Sequence, residues 1–77
     1  MRIRTDESLI VRTPDTTTDY VCHLQSVDFE DDGIFLTFAS GGPGAIGWGT
    51  LTLDVDNFVS DDVVSRDGED ILVLTFA

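Results

Sequence analysis

Few residues in this chain are equipped for covalent chemistry. Cys22 and His23 are the only cysteine and the only histidine. A thiolate beside an imidazole would make a nucleophile, but adjacent residues on an extended strand point to opposite faces. One Cys and one His supply two of the four ligands that zinc takes, so only a site shared between subunits would close. The paired carboxylates Asp54 and Asp56 could exchange protons with a substrate if one were desolvated in a cleft. Alternating with Thr52 in a strand pattern, they read instead as solvated charge. No catalytic, cofactor or metal residue is assigned, and the protein is expected not to be an enzyme.

Two segments have the outline of a ligand loop. Gly42-Pro43-Gly44-Ala45-Ile46-Gly47 fits G-x-G-x-x-G. That pattern holds a pyrophosphate only where it opens a helix, whose N-terminus faces the phosphates. Here Trp48-Gly49-Thr50-Leu51-Thr52-Leu53 follows and reads as a strand, so the glycines form a long hairpin loop. Asp28-Phe29-Glu30-Asp31-Asp32-Gly33 matches the opening of a calcium loop, with oxygens at positions 1, 3 and 5 and Gly at 6. The acid needed at position 12 falls on Ala39, and both flanks read as strands, so this is an acidic hairpin turn.

Charge is the dominant property. Fifteen acids face four Arg, with no Lys, for a net charge of −11 in 77 residues. Arg2, Arg4 and Arg12 lie near the N-terminus; from Thr13 onward only Arg66 opposes thirteen acids. Such a body repels nucleic acid and anionic membranes and attracts basic protein surfaces. Asp outnumbers Glu by twelve to three, which suits turns rather than an acidic helix. The length allows one domain, residues 1–77, with a marginal core; a homo-oligomer or a partner would add stability. A lone Cys, charged residues after Met1, and no apolar run long enough to span a bilayer point to a cytoplasmic protein.

The elements that must carry this charge are strands. In Thr50-Leu51-Thr52-Leu53-Asp54-Val55-Asp56 the apolar residues recur with period two, which directs Leu51, Leu53 and Val55 inward and Thr52, Asp54 and Asp56 outward. Ile34–Phe38 and Ile71–Phe76 are β-forming runs bounded by turn residues. Tyr20–Phe29 is a strand whose phase slips at Gln25-Ser26, the mark of a bulge. Ile3 and Leu9–Arg12 supply weaker N-terminal strands. Asp67-Gly68 predicts a two-residue hairpin pairing Arg66 with Glu69 and Val64 with Ile71. Asp31-Asp32-Gly33 predicts a second hairpin, and Ser60-Asp61-Asp62 the cap of one helical turn. The expected fold is all-β: a small antiparallel barrel or curled sheet of five to six short strands, with at most one helical turn. The expected core is Leu24, Val27, Leu36, Phe38, Leu51, Leu53, Val55, Leu72 and Leu74.

These features point to a non-catalytic acidic binding protein. Rows of carboxylates on a strand fall at a pitch broadly comparable to a phosphate backbone. The expected role is an inhibitor that docks, as a nucleic-acid mimic, on the basic surface of a nucleic-acid-binding protein, in the manner of phage or mobile-element anti-defence proteins. The candidate contact residues are Asp31, Asp32, Asp54, Asp56, Asp61 and Asp62, with Trp48, the only Trp, as an aromatic anchor or alternatively a plug for an open barrel end. Glu7-Ser8-Leu9-Ile10 is similar, over three or four residues, to the Glu-Ser-Ile strand that uracil-DNA glycosylase inhibitors insert at their target. That family's N-terminal helix has no room here, so its function is not carried over. The alternative is a salt-adapted accessory or assembly module of a halophile's cytoplasm, in which the acids hold the protein in solution among abundant counterions.

Overall fold

The structure is a computed structural model and describes residues 4–40 and 49–77. Its described strands are β1 (Leu9–Arg12), β2 (Val21–Glu30), β3 (Gly33–Ser40), β4 (Thr50–Asp54), β5 (Phe58–Arg66) and β6 (Glu69–Phe76). They form one open sheet in the order β4-β3-β2-β1-β6-β5. The all-β class, the strand number and the curled, unclosed sheet agree with the sequence. One pairing departs from an antiparallel arrangement: β1 lies parallel to β6, with Leu9 beside Leu72 and Arg12 beside Thr75.

Local signals explain the hairpins. Asp67 (φ 53°) and Gly68 (φ 81°) both adopt the left-handed conformation that a tight two-residue hairpin demands. The expected register follows, Arg66 opposite Glu69 and Val64 opposite Ile71. Gly68→Val is expected to lower stability by about 1 kcal/mol or more, read as a reduced denaturation midpoint, because a β-branched residue resists positive φ. In the β2–β3 hairpin the register shifts between Leu24 and Ser26, where the sequence places its bulge. Asp31 and Asp32 form the turn, with Glu30 paired to Gly33.

The core has two sides. Leu9, Val11, Cys22, Leu24, Phe38, Leu74 and Phe76 make the main cluster, flanked by half-buried Leu36, Leu51, Leu53, Phe58 and Leu72. Ile10, Ile71 and Val73 form a second cluster with Val64. Thus β1 and β6 bury both faces, as a continuous apolar run in a central parallel pair does. Leu9 and Ile10 lie at the centre of the sheet and are unavailable as an inserting strand.

Two expected core residues are surface residues. Val27 is exposed because it lies past the bulge, where β2 has outrun β1; the two strands pair only at Val21 and Cys22. Val55 is exposed because β4 ends at Asp54 and the chain enters a 3-10 turn, Val55–Asn57. That turn is the one helical element among the described residues. It does not start at Ser60-Asp61-Asp62, which extend β5 and pair with β6. Asp54 is its cap: the Asp56 backbone N–H donates to Asp54 Oδ1 at 2.8 Å, satisfying a donor the turn leaves open.

Candidate functional site

Residues paired across neighbouring strands share a face. Leu36 and Leu53 are in register and pack on the main core cluster, so their neighbours Phe35 and Asp54 point outward. Asp28 is in register with Phe35 on the other side, which sets Asp28, Phe35 and Asp54 in one row across the outer face. Glu30 lies two residues beyond Asp28 on the same face. Asp31 and Asp32 follow in the turn, both exposed. The Asp54 carboxylate reaches the base of that turn, 3.7 Å from where a Cβ on Gly33 would sit.

The result is an acidic face of six carboxylates: Asp28, Glu30, Asp31 and Asp32 on the β2–β3 hairpin, Asp54 at the end of β4, and Asp56 in the adjoining 3-10 turn. None of the six forms an ion pair among the described residues. Two of the four Arg are engaged elsewhere: Arg4 with Asp6, and Arg12 with Asp19 at 2.7 Å. Arg12 grips Asp19 with two nitrogens, Nε to Oδ1 at 3.1 Å and Nη2 to Oδ2 at 2.7 Å. This hydrogen bonding holds the Asp19 carboxyl below its ordinary value, against an opposing effect of partial burial. The pair ties the 13–20 connection to β1.

The six acids are spread along a face rather than converging on a point. No group of three or more His, Cys, Asp or Glu among the described residues is placed to hold a metal ion. Cys22 is buried in the core while His23 is exposed on the opposite face, so the two do not form a nucleophile pair. Burial pushes the Cys22 thiol from 9.0 up to about 11. The unfolded thiol therefore ionises at lower pH than the folded one, and stability falls as pH rises between 9.0 and about 11. Thermal melts should show that alkaline loss reduced in Cys22→Ala. A groove of about 430 Å³ is lined by Ser8, Tyr20, Arg66 and Ile71 among others, and neither Asp54 nor Asp56 borders it.

Of the seven contact residues expected from sequence, four come together: Asp31, Asp32, Asp54 and Asp56. Asp56 does so from the 3-10 turn, not from the strand row in which period-two reading places it. Asp61 and Asp62 sit apart on β5, consecutive and thus on opposite faces, opposite Leu74 and Val73 respectively. Trp48 and the glycine motif Gly42–Gly47 lie outside the described residues, as does Ile3. The contact set expected from sequence omits Asp28 and Glu30. Their signal was present: with the phase slip at Gln25-Ser26, both must face away from the core.

The fold defines a small all-β domain with an open, curled mixed sheet, and this face sets six of its acids around the β2–β3 hairpin. No family model, curated protein or solved structure matches the chain. No described helix is long and apolar enough to cross a membrane.

Proposed function

We propose that the protein is a non-catalytic inhibitor that docks, as a nucleic-acid mimic, on the basic surface of a nucleic-acid-binding protein, of the kind phages and mobile elements carry against host defences. The observation that supports this reading is the face of six carboxylates around the β2–β3 hairpin, none of which has a cation partner among the described residues. Same-face residues along a strand are about 6.6–6.8 Å apart and neighbouring strands about 4.7–4.9 Å. The row therefore offers regularly spaced negative charge on a fixed scaffold, with Asp54 held by its cap. A groove that binds nucleic acid attracts such a face over long range and orients it on approach. Cytoplasmic placement belongs to the same proposal.

A second reading is favoured by the acids that lie elsewhere. Asp15, Asp61, Asp62, Asp67, Glu69 and Asp70 are also exposed. Acid on both hairpins fits a salt-adapted accessory module. Thermal melts across a salt series separate the two. The mimic folds fully in dilute buffer and captures a basic partner there, and capture falls steeply between about 50 and 200 mM salt as attraction is screened. The salt-adapted module is loose in dilute buffer and gains structure towards molar salt. A melting temperature that is low in dilute buffer and climbs steeply with salt rejects the mimic.

A further inference from the structure

The carboxylate hairpin has a second face, and it is apolar. Val27, Phe29 and Ile34 point to the core side of the sheet, because Val27 is in register with core-packing Leu36 and Phe29 with Ile34. Yet they lie beyond the strands that would cover them. Phe29 is 79% exposed, Val27 40% and Ile34 37%. A Phe this exposed forfeits most of the stabilisation that burying its ring would give. The patch adjoins the main core through Leu36, which neighbours Val27 and packs on the main cluster. Acids interleave with it along the chain: Asp28 and Glu30 flank Phe29, and Asp31 and Asp32 follow in the turn.

We infer that Phe29, seated between Val27 and Ile34, is the apolar anchor by which this hairpin docks into a partner protein, in an apolar recess ringed by Lys and Arg. The inference rests on the proposed function and adds to it the residue that makes the contact short-range and specific. Charge complementarity selects the occupant. A second copy would bring its own turn acids, Asp31 and Asp32, and the rest of a chain of net charge −11 against the same charges, and like charges oppose that pairing. A basic rim with an apolar centre satisfies both faces at once: carboxylates steer the approach and neutralise the rim, and the ring fills the recess. Central aromatic anchors inside a charged rim carry most of the energy at such interfaces.

The test uses two synthetic peptides of equal length and charge, one alternating Lys with Leu, the other Lys with Ser. Nitrogen-15-labelled protein is titrated with each at about 50 mM salt, where surface attraction is strong. The Lys–Leu peptide is expected to bind roughly tenfold tighter or more, shifting the amides of Val27, Phe29 and Ile34. Phe29→Ala should erase that advantage, leave Lys–Ser binding intact and leave the melting temperature unchanged; Ile34→Ser should weaken it likewise. Equal binding of both peptides, unaffected by Phe29→Ala, overturns the anchor and leaves the acidic docking face standing. Failure of both peptides to bind overturns the docking face itself, and the anchor with it. Self-association that depends on Phe29 also overturns the inference, because the occupant is then a second copy.

Discussion

Reversing the hairpin acids is expected to cut partner association by about 10²-fold or more at low salt while the domain stays folded. The variant Asp28→Lys/Glu30→Lys/Asp32→Lys changes net charge by 3 × 2 = 6, from −11 to −5. All three side chains are exposed, so the substitutions remove little packing. Asp54 is left in place because its Oδ1 caps the 3-10 turn, and a loss there would mix a structural effect with an electrostatic one. Steering by a complementary field raises association rates by about 10 to 10³, and that factor is most of what the variant loses. The signature is therefore kinetic: the on-rate falls, and its dependence on salt flattens. As a control, Asp61→Lys/Asp62→Lys on β5 should cost far less, since those residues sit on another strand and on opposite faces. The control changes net charge by 2 × 2 = 4, so a loss in proportion, about two-thirds of the triple variant's on a logarithmic scale, would mean that total charge, not this face, governs docking. The triple reversal should also melt no lower than wild type in dilute buffer, because it relieves repulsion among close carboxylates.

Phe38→Ala is expected to remove most of the stability of the domain. Phe38 is fully buried and edge-packed against Phe76, ring centroids 6.1 Å apart at 66°; Phe76 in turn meets Phe58 at 5.6 Å and 74°. These three rings join β3, β6 and the start of β5, which are distant in sequence. Removing a buried Phe costs about 3–5 kcal/mol through lost transfer and a cavity. Small domains hold roughly 5–15 kcal/mol in total, and one of 77 residues belongs at the low end. Phe29→Ala is the matched control, the same chemical change at a position 79% exposed, and should stay within about 0.5 kcal/mol of wild type. Urea denaturation of the two variants side by side reads the contrast. Similar midpoints would mean that the sheet curls the other way.

The parts of the fold legible in the sequence are those set by local chemistry. Asp67-Gly68 dictates its turn and hence the pairing of every residue from Val63 to Leu72. The phase slip at Gln25-Ser26 shows the bulge, because an apolar stripe can change sides only where an extra residue is inserted. What stayed hidden depends on partners far along the chain. Leu9–Arg12 is four residues long and bears no mark of its parallel pairing with Leu72–Thr75. It therefore reads as a weak terminal strand, although it is the middle of the sheet. The run Ile71–Phe76 shows burial but not that both faces are buried, so Ile71 and Val73 escaped the expected core. Val27 carries the right phase, yet phase says which way a residue points and not whether anything lies there. The same limit hid Phe29. Within the acidic face, the turn acids were legible from composition, whereas the row of Asp28, Phe35 and Asp54 needs the register of three strands. The place of Asp54 at the end of β4 follows from its cap, a role that the spacing Asp54-Val55-Asp56 permits but does not require.

Competition by duplex DNA tests the central claim most directly. The immobilised protein is loaded with its captured partner at about 50 mM salt and challenged with duplex DNA, ionic strength held constant so that screening cannot mimic displacement. If the carboxylate face occupies a nucleic-acid-binding surface, the partner leaves in proportion to its occupancy by DNA. A partner that stays on the protein while saturated with DNA contradicts the account.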